Sequence, residues 1–246
     1  MKYQTQDNLQ NIGVVIPAFN EGNNLRAVLD TVCAIPWFYQ IVVVDDGSTD
    51  DTYVIAKQAE IRDARVLAMR LPENQGKAAA MLAGVRALQS NLVMFLDADL
   101  KGIVENHFLA LCAPLRNDGC EMAIAVFRHG GLLTDASHIG APYLTGQRCL
   151  HRAVAEQALT PLAGTRYGVE MGLTIRAKTH GWRVQKVIWM GVTHQMKEQK
   201  RNILPGIKSR WQMYSQILTV AIQARNSRGM RRYSKVTRQF YKLSRP

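Results

Sequence analysis

The first hundred residues alternate short apolar runs with stretches of helical spacing. Ile12-Gly13-Val14-Val15-Ile16-Pro17 is apolar throughout and closed by proline, as a strand buried on both faces would be. Leu25, Val28, Leu29 and Val32 then recur at the three-to-four-residue interval of a helix over 23–35. A second apolar strand is predicted at 40–45, and Asp50 or Asp51 can cap a helix running to about 61. A third strand follows at 65–70, an Ala-rich helix at 76–88, and a fourth strand at 92–96 that runs straight into Asp97. Repeated strand–helix units with fully apolar strands predict an α/β domain, its mostly parallel sheet covered by helices on both faces.

Beyond residue 100 the pattern loosens. It predicts a helix at 104–115, a strand at 121–127 and a long loop rich in Gly, His and Thr at 128–146. Helices at 147–159 and 168–180 and a strand at 182–189 follow. Ile207, Trp211, Tyr214, Leu218 and Ala221 then recur at helical spacing, which predicts an amphipathic C-terminal helix before a basic tail. The division implied is one domain over 1–200 and a helix-plus-tail appendage over 201–246.

Charge changes this picture more than composition does. The 246 residues are 47% hydrophobic and 20% charged, ordinary values for a globular chain. The net charge is +12, yet residues 1–199 carry 19 basic and 19 acidic side chains. Residues 200–246 carry 12 Lys and Arg and no acid, so the whole excess sits in the tail. Such a tail suits an acidic partner: a phospholipid surface, a phosphorylated acceptor or nucleic acid. No run approaches the ~20 apolar residues of a membrane span, and the polar start reads as no signal peptide. The four cysteines lack paired spacing, and the six histidines form no HExxH pattern.

Three polar clusters follow three of the predicted strands: Pro17-Ala18-Phe19-Asn20-Glu21, Asp45-Asp46-Gly47-Ser48-Thr49-Asp50 and Asp97-Ala98-Asp99. In a parallel sheet these tips share one edge, where ligands bind. Four carboxylates (Asp45, Asp46, Asp97 and Asp99) in one crevice call for a compensating cation. Mg²⁺ or Mn²⁺ with a diphosphate is the natural one. No GxGxxG follows the first strand, and Gly76-Lys77-Ala78 is not a Walker A loop, so those two phosphate cradles are excluded.

Residues 14–22, 42–50, 74–77 (Asn-Gln-Gly-Lys) and 95–99 (Phe-Leu-Asp-Ala-Asp) together resemble the family 2 glycosyltransferases of GT-A (Rossmann-like) fold, in that family's order. The resemblance is tight over 12–100. It implies that Pro17, Ala18, Asn20, Glu21 and the Asp45-Asp46-Gly47-Ser48 turn hold the nucleoside of a UDP- or GDP-sugar. It also implies that Asp97 and Asp99, flanking Ala98, hold the metal and diphosphate. Shorter segments at 144–148, 167–170 and 191–197 are similar to glucosyl-3-phosphoglycerate synthases. They imply His194 as a third metal ligand, Tyr167 and Glu170 at the donor site, and Gly146, Gln147 and Arg148 toward the acceptor. The basic tail is similar to that of membrane-associated polyprenyl-phosphate sugar transferases. The QxxRW motif of processive synthases is missing, because Ile207 stands where Gln would precede Arg210-Trp211.

Each residue also has a plainer reading. Two Asp after a strand can simply cap a helix, and Asp50-Asp51 reads better as a cap than as a ligand. Lys77 beside Gly76 favours a phosphate contact over a solvated lysine. His194, Glu170 and Arg148 could each be structural, and the Trp211 stripe fits a docked helix better than a membrane face. The expected function is metal-dependent sugar transfer, with Asp99, Lys77 and Glu170 as its catalytic groups. Expected partners are a nucleotide-sugar, an acceptor carrying phosphate, an anionic membrane surface for the tail and a second copy as homodimer, but no nucleic acid. The expected location is cytoplasmic, at the inner face of the cell membrane. A nucleotidyltransferase is the main rival, although its Gly-rich basic loop is replaced here by Pro-Ala-Phe-Asn-Glu. A non-enzymatic nucleic-acid module would need the tail to act alone.

Overall fold

The computed structural model describes residues 12–128, 145–164 and 168–194. Strands β1 (Ile12–Ala18), β2 (Phe38–Asp45), β3 (Val66–Arg70) and β4 (Leu92–Phe95) alternate with helices α1 (Leu25–Cys33), α2 (Thr52–Arg62) and α3 (Lys77–Ala87). Then come the short β5 (Leu100–Lys101), α4 (Glu105–Asn117), β6 (Met122–Arg128), β7 (Arg148–His151), α5 (Arg152–Leu159), α6 (Val169–Thr179), β8 (Val184–Met190) and β9 (Thr193–His194). The seven-stranded sheet has the order β3-β2-β1-β4-β7-β6-β8, and β5 pairs with β9 in a separate ribbon. Every pairing in the large sheet is parallel except those of β7, which runs against both β4 and β6. The expected α/β sheet is therefore present, with one antiparallel strand near its middle.

The apolar strands are apolar because both faces are covered. Val14, Ile16, Ile41 and Val43 pack with Leu29, Val32, Ala56, Phe108 and Leu111 from α1, α2 and α4. The intervening Val15, Val42, Val44 and Phe95 pack with Met81 and Val85 of α3 and Leu173 of α6. Each such aliphatic side chain contributes about 1.5–3 kcal/mol on burial.

The register brings the strand tips into line. Ala18 stands opposite Asp45, and Asp45 opposite Arg70. Asp46 N donates to Ala18 O at 2.8 Å, and Leu96 N donates to Val15 O at 3.1 Å. The helices at 23–35, 50–61, 76–88, 104–115 and 168–180 all form, with ends moved by a few residues.

The helix expected over 147–159 does not form as drawn. Residues Arg148–His151 are strand β7, and the helix begins only at Arg152. The reason is tertiary: a four-residue strand containing Arg and His has no apolar alternation of its own, and its neighbours β4 and β6 supply its pairing. The two-residue strands β5 and β9 likewise left no periodic signal. The C-terminal amphipathic helix, the basic tail, most of the 128–146 loop and Tyr167 lie outside the described residues. No helix among the described residues is long and apolar enough to cross a membrane.

Candidate active site

The tips of β1, β2 and β4, the start of α3 and the start of α6 surround a crevice of about 730 Å³. Pro17, Ala18, Glu21, Asp46, Lys77, Asp97, Ala98, Asp99, Glu170 and His194 all line it, along with Phe19, Asn74 and Gly168, which lie within the sequence motifs but were given no site role there.

The wall between β1 and β2 is built by short polar links. Asn20, with its φ of 53°, donates its N–H to Ser48 Oγ at 2.9 Å. Its Oδ1 accepts from Thr49 N at 3.0 Å. Glu21 N donates to Thr52 Oγ1 at 2.8 Å. Asp45, fully buried, accepts from Ser48 N at 3.0 Å. Its other oxygen lies 3.2 Å from Arg70 Nε, an ion pair without the angle of a hydrogen bond. Gly47 is required here: its φ is 72°, and a Cβ would stand 2.5 Å from the carbonyl carbon of Glu73. Asn20, Asp45, Gly47 and Ser48 thus stand behind the crevice rather than lining it.

Asp46 works backward, to the loop before α3. Its oxygens accept the N–H groups of Gln75 and Gly76 at 2.8 and 2.9 Å. Burial lifts its pKa and these two bonds partly offset the lift. The loop delivers Lys77, the first residue of α3, to the crevice. Lys77 Nζ donates to Asp97 Oδ1 and to Glu170 Oε1, both at 2.7 Å. Burial alone would lower the lysine's pKa, but the two carboxylates outweigh it and hold the ammonium charged. For Asp97 burial acts upward, and Lys77, His194 and Gln147 together bring its pKa below the usual carboxylate value.

The β5–β9 ribbon places Leu100 opposite His194 and so brings the imidazole to Asp99. His194 Nδ1 lies 3.0 Å from Asp99 Oδ1. Burial would lower the ring's pKa, yet the bond to Asp99 and the charge of Asp97 raise it. One ligand atom each from Asp97, Asp99 and His194 lies within 4.8 Å of the others. Two carboxylate oxygens and an imidazole nitrogen are a donor set that could hold Mn²⁺ or Mg²⁺, with positions left for diphosphate oxygens.

The residues expected toward the acceptor are placed elsewhere. Arg148 lies on β7 with no exposed surface. Its Nε donates to Thr145 O at 3.1 Å and its Nη1 to Thr174 Oγ1 at 3.2 Å. Burial pulls its pKa down to about 10, against the carboxylates of Glu170 and Asp97, which raise it. A residue enclosed this way cannot present its guanidinium to an acceptor in the crevice. Gln147 is also fully buried and donates to Asp97 Oδ2 at 2.8 Å. Gly146 lies flush against the same carboxylate. Of the two acids expected to cap α2, Asp51 holds the N-cap position without a side-chain bond, and Asp50 before it accepts from Thr52 N at 3.0 Å and from Gly22 N at 2.9 Å. Arg70, the one basic side chain at the β2–β3 tips, was missed; reading every strand end for charge would have found it.

Comparison with known proteins agrees with this fold. An undecaprenyl-phosphate 4-deoxy-4-formamido-L-arabinose transferase of Yersinia pestis (strain Pestoides F) is 34% identical over 98 residues. That match covers 38% of this chain and 30% of the relative, so the chain matches less than a third of that relative's length. Among solved structures, glucosyl-3-phosphoglycerate synthase from Mycobacterium tuberculosis with Mn²⁺, UDP and glucosyl-3-phosphoglycerate aligns with a TM-score of 0.62 and 21% identity. The alignment covers 89% of this chain and 85% of that one. The same enzyme with Mg²⁺ and UDP gives 0.65 at 19% identity, over 87% of this chain and 79% of that one. These likenesses show the GT-A fold. Residues 13–153 match glycosyl transferase family 2, more than half of the sequence, and the chain belongs to that family.

Proposed function

We propose that the chain transfers a sugar from a UDP- or GDP-sugar to an acceptor that carries phosphate. The observation that carries this reading is the convergence of Asp97, Asp99 and His194 at one end of the crevice, with Lys77 between Asp97 and Glu170. The nucleoside end would lie along Pro17, Ala18 and Glu21, backed by Asn20, Asp45, Gly47 and Ser48. The diphosphate would lie over Ala98 and the first turn of α3, where the N-terminal N–H groups and Lys77 favour anions. A Mg²⁺ or Mn²⁺ ion held by Asp99, Asp97 and His194 would neutralise charge on the leaving diphosphate. Lys77 adds a second positive charge at that end. Glu170, in the first turn of α6, holds Lys77 in place and faces the space where the transferred sugar would sit.

The relatives support a phosphorylated acceptor: one is named for undecaprenyl phosphate, and the solved synthase holds glucosyl-3-phosphoglycerate. The tail, with 12 basic residues and no acid over 200–246, suits an anionic membrane surface, which favours a lipid phosphate. The boundary near residue 200 then separates the catalytic domain from a surface-binding appendage.

A panel of UDP- and GDP-sugars with Mn²⁺ or Mg²⁺, scored by thermal shift and donor hydrolysis, tests the reading. One donor should stabilise the chain and turn over only with metal. Pyrophosphate release from a sugar 1-phosphate and a nucleoside triphosphate, with no donor hydrolysis, would make it a nucleotidyltransferase instead.

A further inference from the structure

The two acids of Asp97-Ala98-Asp99 are held differently, and Gln147 makes the difference. In the antiparallel ladder Phe95 lies opposite Arg148. One and two residues beyond that pair, Gln147 and Gly146 come beside Leu96 and Asp97. Gln147 Nε2 donates to Asp97 Oδ2 at 2.8 Å, while Lys77 Nζ takes Oδ1 at 2.7 Å. The amide is oriented from behind: its Oε1 accepts from Thr145 Oγ1 at 2.7 Å, so the NH₂ end faces the carboxylate. Gly146 closes a third side, since a Cβ there would stand 2.5 and 2.6 Å from the two Asp97 oxygens. Asp99 has a different neighbour, His194 at 3.0 Å.

We propose that Gln147 is a positioning residue for the metal and diphosphate end of the site, acting through Asp97. The inference rests on the glycosyltransferase reading above. With Oδ2 tied to a neutral amide, the carboxylate cannot rotate, and Oδ1 is the oxygen left to exchange Lys77 for an incoming cation. A neutral donor suits this place. A carboxylate there would repel Asp97, and an ammonium or guanidinium would compete with both Lys77 and the metal. The hydroxyl of Thr145, the amide of Gln147 and the carboxylate of Asp97 form one relay of fixed orientation. Outer partners of this kind commonly change metal affinity by about 10–100-fold.

Calorimetric titration of the full chain separates this role from a structural one. Mn²⁺ with UDP, and Mn²⁺ with GDP, are titrated into the wild-type chain, Gln147→Leu and Thr145→Val. The same nucleotides are then titrated in EDTA. Wild type should bind one nucleotide more tightly with Mn²⁺ than without. Gln147→Leu should weaken the Mn²⁺-dependent binding about tenfold or more while leaving the metal-free affinity within about twofold. Thr145→Val, which frees the amide to turn, should weaken it about threefold, and it decides the matter should Gln147→Leu fail to fold. An equal loss with and without metal, or no loss with metal, overturns the positioning role. A wild-type chain whose nucleotide binding gains nothing from Mn²⁺ overturns the glycosyltransferase reading itself.

Discussion

The two sides of the sheet are built on opposite terms. From β1 to β4 the chain repeats one unit: an apolar strand, a turn, a helix laid back over the face. The strands there pair with one another in parallel, and the candidate site groups follow the strands' carboxyl ends or, for Lys77, open the next helix. Beyond β4 the repeat stops. β7 runs against its neighbours, carries a buried arginine and presents its functional groups at its amino end. The lesson is that one crevice can be furnished from strands of both directions. Parallel strands place Asp46 and Asp97 at their ends, and the antiparallel one places Gly146 and Gln147 against Asp97 at its beginning.

The largest test of this contrast lies at the metal end, where both sides contribute. Asp99→Ala should cut metal-dependent donor turnover by about 10³, equivalent to about 4 kcal/mol of barrier. Retention of full turnover would detach the first side from the chemistry. Arg148→Ala probes the second side. If the arginine is an internal strut, stability should fall by about 2–4 kcal/mol in urea unfolding, because two buried oxygens lose their donor. A variant of unchanged stability with a raised acceptor KM would return Arg148 to the acceptor.

The pH dependence of the ligand from the second side is a smaller effect with a definite sign. His194 has a pKa raised above 6.5. Without metal, its protonated ring paired to Asp99 stabilises the fold fully below about 6.5, and that contribution is lost as pH rises through the raised value. Metal requires the neutral ring. Mn²⁺ affinity should therefore climb about tenfold per pH unit below the raised value and level off above it. A flat profile from pH 5 to 8 in a Mn²⁺ titration would remove His194 from the ligand set. The smallest effect tests the turn chemistry of the first side. Asp50→Ala should cost about 1 kcal/mol of stability and Asp51→Ala less than about 0.5. The reverse order would mean the cap was misplaced.

The difference between the sides also explains what the sequence could show. β1 through β4 are buried on both faces, so their apolar runs mark them without knowledge of any partner. The acids after them could then be assigned to one edge. β7 has Arg148 and His151 among its four residues, and its identity as a strand comes wholly from β4 and β6. Its residues were read as helical, and Gln147 and Arg148 were assigned to the acceptor, because nothing local says that their side chains turn inward. His194 was read as a ligand from family resemblance and from its place after a predicted strand. The ribbon that delivers it is two residues long and leaves no periodicity to detect. The turn at Asp50 and Asp51 was legible because the bonds that start a helix are local chemistry.

That ribbon has a consequence for how the protein matures. Asp99 and His194 are 95 positions apart in the chain, and they meet only because Leu100 and His194 pair across β5 and β9. During synthesis strands β1 to β4 are made before the residues that bring His194 to Asp99. If Asp97, Asp99 and His194 hold the proposed cation, its site closes only once both halves have docked. On the proposed reading, a chain shortened to Met190 should keep the wall between β1 and β2 and bind Mn²⁺ more weakly, so metal retention would report whether the β5–β9 ribbon has formed.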